Sequence, residues 1–399
     1  MITPLKQALK VGTRQSKKLK NTHSNAPKGT LKRKTKKVKK YNHIVYSILP
    51  PPISLTFLTP KDEKLFLKEN RKTIEIANKV SKHLLFSFLP TIILTVTIMS
   101  FIVKKDKTMR KFNSILYIGG RGTGKTEILE HILTKSNPEL LNLMDNKTYE
   151  SQLVSENKEY FHNKVMVQDD LIISFQGMST KQREQLTNFW VKILEGNYSR
   201  QQKKLKNVNT IALFGVAKEM FNVYRKELFS STFFDRVIPF FHEIDHEQKR
   251  KILEHRSKSK TKCPIIKLPI PKNFDDKHRK KINFIKNKNI EERIINLALE
   301  LDMYEVLSSA RAQDFIKIFM MGNALLNHRR KTTINDLKMY ELVHPLFLKS
   351  SANIGMEKKI LTIINANPDK KDKAIIIMLG TSKPTFYKYK KILKLKKLI

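Results

Sequence analysis

The chain has 399 residues, enough for two or three domains with well-buried cores. Its 78 Lys and Arg against 36 Asp and Glu give a net charge of +42 at pH 7, which excludes the Lys–Glu balance of a thermophile surface and suits polyanions, nucleic acid first and anionic lipid second. The single cysteine, Cys263, excludes an internal disulfide framework and points to an intracellular, cytoplasmic chain.

The basic N-terminus has no adjoining apolar core or small-residue cleavage site, so no secretory signal is expected. Residues 1–60 begin with a lysine-rich block free of Asp and Glu up to Tyr41. Such a block repels itself and reads as a largely disordered arm for a polyanion, or as a solubilising tail. A charged, amphipathic helix is expected from Lys61 to Lys82. Leu84 to Val103 is uncharged throughout and, at about 20 residues, matches a hydrocarbon core. It reads either as a transmembrane helix or as a helix covered by protein. Positive charge on both flanks gives neither side of a membrane a clear claim to the cytoplasm.

From about residue 104 to 245 short apolar runs alternate with helical patterns, as in a βα protein. "SILYIGG" and the following "KTEILEHILTK" read as strand and helix, and the turn between them satisfies G-x-x-x-x-G-K-[ST]: Gly119, Gly120, Arg121, Gly122, Thr123, Gly124, Lys125, Thr126. Glycines there let backbone N–H groups converge on phosphate oxygens, and the helix N-terminus adds partial positive charge. Lys125 would reach the β- and γ-phosphates of ATP, and Thr126 would ligate Mg²⁺. "KVMVQDD" supplies a second strand ending in two carboxylates. Asp169 would bind Mg²⁺ and Asp170 would orient the attacking water. A DD pair alone is as readily a helix cap or turn; the loop upstream favours the site. "NTIALFGVA" is a third strand. Residues 246–350 read as helices interrupted by a basic, proline-bearing link.

Residues 351–399 have the outline of a helix-turn-helix unit: Ala374 to Leu379, a turn at Gly380, then a second helix capped by Ser382 with Pro384 in its first turn. "MEKKILTIINAN" would supply a third helix. Lys383, Thr385, Tyr387, Lys388 and Lys391 on the second helix suit a major groove and its flanking phosphates. A small protein-interaction domain is the alternative.

Between Lys111 and Lys349 the chain resembles the AAA+ ATPases, in particular the minichromosome-maintenance helicases and their origin-recognition and MoxR-like relatives. Four stretches carry the resemblance in order: "GGRGTGKTEILEHI", "VMVQDDL", "STFFDRVIPF" and "SSARAQDFIKIFMMGNALLNHRRKTTINDLKMYELV". It implies a parallel-sheet P-loop core with a helical lid. It also implies an arginine finger at Arg236 inserted into a neighbouring subunit's site, a sensor arginine at Arg311 on the γ-phosphate, and hence a homo-oligomeric ring. "EGNYSRQQKKLKNVNTIALFGVA" looks like the family's hairpin, which would aim Arg200, Lys203 and Lys204 at DNA. Two departures stand out: Asp170 where the family carries Glu, and Val216 or Ala217 where it carries a polar sensor. Both favour ATP binding over fast turnover.

The sequence therefore predicts an α/β chain: an AAA+ P-loop core, a helical lid and a small C-terminal winged-helix or helix-turn-helix domain. Its expected activity is an Mg-ATP-dependent ATPase that remodels or translocates DNA. The alternatives are an ATP-switched replication initiator with little turnover and a membrane-anchored DNA-moving motor.

Overall fold

The computed structural model of the protein describes residues 59–104, 114–144, 158–200, 203–230, 232–258, 262–303, 306–348, 360–361, 363–364, 371–379 and 381–395. The basic arm, apart from its last two residues, lies outside the described residues. So do Gly380 and most of the stretch expected to form the third C-terminal helix.

The chain divides into two compact units, Met1–Glu69 and Asn70–Ile399. In the first, the described residues form helix α1, Pro60–Glu69. Thr59 Oγ1 accepts the Asp62 N–H at 3.1 Å, and Asp62 and Glu63 face the positive end of the peptide dipoles.

The second unit is built on a five-stranded parallel sheet in the order β2-β3-β6-β1-β7. Its strands are β1 Ser114–Gly119, β2 Leu141–Leu143, β3 Lys164–Gln168, β6 Thr210–Ala217 and β7 Val237–His242. Every residue of β1 and β7 is buried, which is why these strands read as unbroken apolar runs and not as alternating ones. The intervening helices are α4 Glu127–Thr134, α5 Lys158–Phe161, α6 Thr180–Leu194 and α7 Lys218–Ser230. α6 starts on a full capping box, Ser179 and Gln182 each satisfying the other's backbone N–H. α4 is wound as a π-helix, with the Lys135 N–H donating to Glu130 O at 3.1 Å. After β7 come α8 His246–Lys258, α9 Lys288–Met303, α10 Ser309–Leu326 and α11 Ile334–Leu348.

The uncharged run is a core helix. Two helices precede the sheet, α2 Arg71–His83 and α3 Phe88–Ile102, and all 15 residues of α3 are buried. It packs on α2, α10 and α11 and reaches β1 and β6. At 1.5 Å per residue it is about 22 Å long, short of a hydrocarbon core of about 30 Å. No described helix is long and apolar enough to cross a membrane, which corrects the transmembrane reading of 84–103. Its hydroxyls turn inward: Thr91 Oγ1 donates to Ser87 O, Thr95 Oγ1 to Thr91 O and Ser100 Oγ to Thr97 O, each at 2.7 Å. A buried protein helix and a lipid-facing one solve the same hydrogen-bonding problem in this way, so the composition alone does not separate them.

α3 and α10 touch backbone to backbone at Gly322. A Cβ there would stand 2.6 Å from Val96 O and 2.8 Å from Ser100 N. Neither atom can rotate away, so Gly322→Ala should destabilise the protein by about 2 kcal/mol despite the better helix propensity of alanine. Urea unfolding checks this, and an unchanged midpoint would refute the close approach.

A buried polar network ties the start of α2 to α10 and α11. Asn323 Nδ2 donates to Asn70 Oδ1 and to Asp336 Oδ1, both at 2.6 Å, and Thr73 Oγ1 donates to Asn323 Oδ1 at 2.7 Å. Arg329 grips Asp336 through two bonds of 2.6 and 2.8 Å. Burial pushes the Asp336 carboxyl up, against the pull of that guanidinium.

The proline-bearing link is tied to the core along its length. Asn137 donates to Ile266 O at 2.9 Å and accepts the Leu268 N–H at 2.8 Å. Lys280 pairs with Val103, and the Arg279 guanidinium lies over both the Phe101 and Phe274 rings, 4.6 and 5.2 Å from their centroids.

Candidate functional site

β1 delivers the chain to the C-terminal edge of the sheet, where ligands of open α/β folds bind. From Gly119 the chain turns through Gly122 (φ 82°) and Gly124 (φ 80°) before entering α4. Both angles lie in the left-handed region that glycine adopts without strain. Thr123 is buried and folds back, its Oγ1 donating to Gly120 O at 2.9 Å. Arg121 and Thr126 are exposed. Lys125 lies across the loop, with Nζ donating to Gly119 O at 2.8 Å and Gly120 O at 3.2 Å.

Strand order brings acids to this loop. β6 lies between β1 and β3, so the residues leaving β3 and β6 flank the loop leaving β1. Burial lowers the Lys125 ammonium, while Asp170, Glu219 and Asp169 draw it back up, in that order. Burial raises Asp170, opposed by the Ile172 N–H donating to its Oδ1 at 3.1 Å and by the charge of Lys125, with Asp169 adding to the rise. A cation and carboxylates thus share a partly dry corner, each holding its neighbour's charge in place.

Gly215 fixes how closely β6 passes β3. A Cβ at this position would sit 2.0 Å from Asp169 O, and the Leu171 N–H donates to Gly215 O at 2.9 Å. Both Asp169 and Asp170 are half-buried. Beside the loop, His83, Leu84, Leu85, Ile252, His255 and Arg256 line a crevice with Gly122, Thr123 and Gly124.

Arg236 and Arg311 meet elsewhere. Gly119 is in register with His242 and Ser114 with Val237, so Arg236 stands at the opposite end of the sheet, about 20 Å from the loop at 3.3 Å per residue. It is ion-paired with Glu195 and, at 3.2 Å, with Asp235. Arg311 reaches the same aspartate, with Nη1 3.0 Å from Asp235 Oδ1 and 2.6 Å from its carbonyl oxygen. The two arginines share one patch, remote from the loop of their own chain. Arg311 thus stands beside Arg236 at Asp235.

The basic segments are described in part. β4 Asn197–Arg200 and β5 Lys203–Lys206 make an antiparallel hairpin, with Arg200 opposite Lys203 and Ser199 opposite Lys204. Near the C-terminus, α12 Asp372–Leu379 is followed by α13 Lys383–Leu395. Ser382 Oγ accepts the Thr385 N–H at 3.4 Å, as a cap should. Phe386, Tyr389 and Leu393 are buried, while Lys383, Tyr387 and Lys391 are exposed at helical spacing. Thr385 and Lys388 are half-buried.

Sequence reasoning missed Glu219, Gly215 and the crevice residues. Glu219 was findable in principle, as the first acid after the strand that ends in Val216 and Ala217. Its bearing on Lys125 needed the strand order, which the sequence does not print.

No protein-family model matches the chain, and no curated protein matches it. Among solved structures it is similar to a full-length MCM homologue from Methanopyrus kandleri, with 12% identity and a TM-score of 0.44 over 73% of this chain. The match spans 62% of that protein's length. At that distance the likeness assigns no activity.

Proposed function

We propose that the protein is an AAA+-type P-loop ATPase acting on DNA. The observation that carries this is the single edge of the sheet at which a glycine-turned loop, Lys125, Asp169 and Asp170 converge. In this reading the backbone N–H groups of residues 119–124 cradle the phosphates of ATP, and Lys125 exchanges its bonds to Gly119 O and Gly120 O for phosphate oxygens. Thr126 and Asp169 hold Mg²⁺, which neutralises charge on the phosphates when bound. Asp170 orients the attacking water.

The patch of Arg236 and Arg311 serves a neighbouring subunit. Both guanidiniums lie too far from their own loop, and a homo-oligomeric ring brings that face to the next chain's phosphates. DNA is held by the hairpin that carries Arg200, Lys203 and Lys204 and by the α13 face that carries Lys383, Tyr387 and Lys391. With net +42 behind them, these contacts should weaken steeply as salt rises.

One observation favours a second reading, an ATP-switched initiator with little turnover. The end of β6 presents buried Val216 and then Ala217, with no polar side chain from the strand itself. Glu219, in the first turn of α7, is a polar group just beyond that strand end that acts on Lys125.

Lys125→Ala tests both readings. It should abolish ATP binding, with a loss of at least about 100-fold in affinity, because the half-buried Lys125 ammonium would bond directly to phosphate oxygens. Retained ATP affinity in Lys125→Ala would overturn the site. DNA-stimulated turnover in the wild type supports the motor, and binding without turnover supports the switch.

A further inference from the structure

Three segments converge beside the phosphate loop. α2 ends at His83, α4 begins at Glu127, and the tethered link begins with Lys262 and Cys263. His83 Nε2 lies 3.3 Å from Glu127 Oε1. The imidazole nitrogen, a carboxylate oxygen and the Cys263 Sγ all lie within 4.8 Å of one another.

We propose that His83, Glu127 and Cys263 form a site for a borderline-soft divalent metal ion of the Zn²⁺ class. A tetrahedral zinc ion sets its ligand atoms about 3.5 Å apart. The three donors here must therefore close by roughly 1 Å, which side-chain rotation supplies. His83 and Glu127 keep 19% and 30% of their side-chain surface exposed, and the thiol is exposed, so each retains room to turn.

The donor set selects the ion. A thiolate with an imidazole suits Zn²⁺ and disfavours Mg²⁺ and Ca²⁺, which prefer oxygen ligands. One thiolate and one carboxylate also cancel the ion's two positive charges, so the filled site is neutral beside Lys135 and Lys267. Those lysines and His131 line an open cavity of about 480 Å³ next to Glu127 and Cys263. A fourth ligand, water, enters from that side, which gives three protein ligands and one open position.

The backbone already holds the donors in place. Cys263 sits three residues before Ile266, whose N–H donates to Ser136 Oγ at 3.1 Å and whose carbonyl accepts from Asn137 at 2.9 Å. His83 is followed by Leu84, whose side chain lies against Gly124 of the phosphate loop. The ion would therefore staple α2, α4 and the link at one point. Its binding stands whether or not the loop takes a nucleotide.

The experiment titrates the full chain with Zn²⁺ against a chromophoric chelator and with Co²⁺ by absorption. The wild type should take up one equivalent of Zn²⁺ that raises its melting temperature, and Co²⁺ should give a thiolate charge-transfer band. Cys263→Ser should abolish that band, and it and His83→Ala should each weaken Zn²⁺ at least about tenfold while melting like the metal-free wild type. No thiolate band with Co²⁺ in the wild type, or Zn²⁺ affinity unchanged in both variants, would overturn the site.

Discussion

Gly215→Ala is expected to lose both stability and turnover, from a substitution that adds one methyl group. The added Cβ would sit 2.0 Å from Asp169 O, 2.9 Å from its carbonyl carbon and 3.3 Å from a Leu129 methyl. The first two atoms are backbone, and they leave a strand already paired to β6 from Lys164 to Gln168. The clash can be relieved in two ways. Either the end of β3 moves, carrying Asp169 and Asp170 off the loop, or the β3–β6 pairing opens at its C-terminal edge. The entropy gained by restricting the unfolded chain is below about 1 kcal/mol. Overpacking against backbone costs about 3 kcal/mol, so the net sign is destabilising. Urea unfolding measures the first loss and ATP turnover the second. A variant as stable and as active as wild type would refute the close contact between these strands.

The second large effect is Arg236→Ala. Removing a guanidinium that stabilises charge on the transferred phosphoryl group should reduce turnover about 10³-fold and leave ATP affinity within about twofold. In its own chain Arg236 makes only partly exposed ion pairs with Glu195 and Asp235, and such pairs are worth at most about 1 kcal/mol. The fold should survive. Arg311→Ala should behave alike, because both side chains converge on Asp235. Mixing distinguishes the geometry. Arg236→Ala subunits keep an intact loop, and Lys125→Ala subunits keep an intact arginine, so mixed oligomers should recover part of the turnover that each lacks alone. Absence of recovery, together with loss of ATP affinity in Arg236→Ala, would mean that the arginine merely braces Glu195 and Asp235.

What could be read from the residues follows the range of the interactions involved. The loop from Gly119 to Thr126 was legible because its geometry is local: two glycines with positive φ and a lysine folded over their neighbours. The apolar strands, the hairpin and the capped α13 were legible for the same reason. The run from Leu84 to Val103 was not. A helix buried on every side has no polar face to mark its surroundings, and Thr91 and Thr95 bond to backbone carbonyls one turn earlier, as they could in either setting. The position of Arg311 was also out of reach, because it depends on how the lid meets the sheet. Glu219 and Gly215 matter only because β6 lies beside both β1 and β3.

The burial of α3 also has a consequence for how the chain is made. Its covering partner α10 begins at Ser309, about 200 residues later, roughly 10–40 s of synthesis at ordinary ribosomal speeds. Throughout that interval a fifteen-residue stretch without a single charge must remain uncovered or find a provisional neighbour. Nascent chains of this protein therefore carry a delay between emergence and shelter that is set by the distance along the chain between α3 and α10.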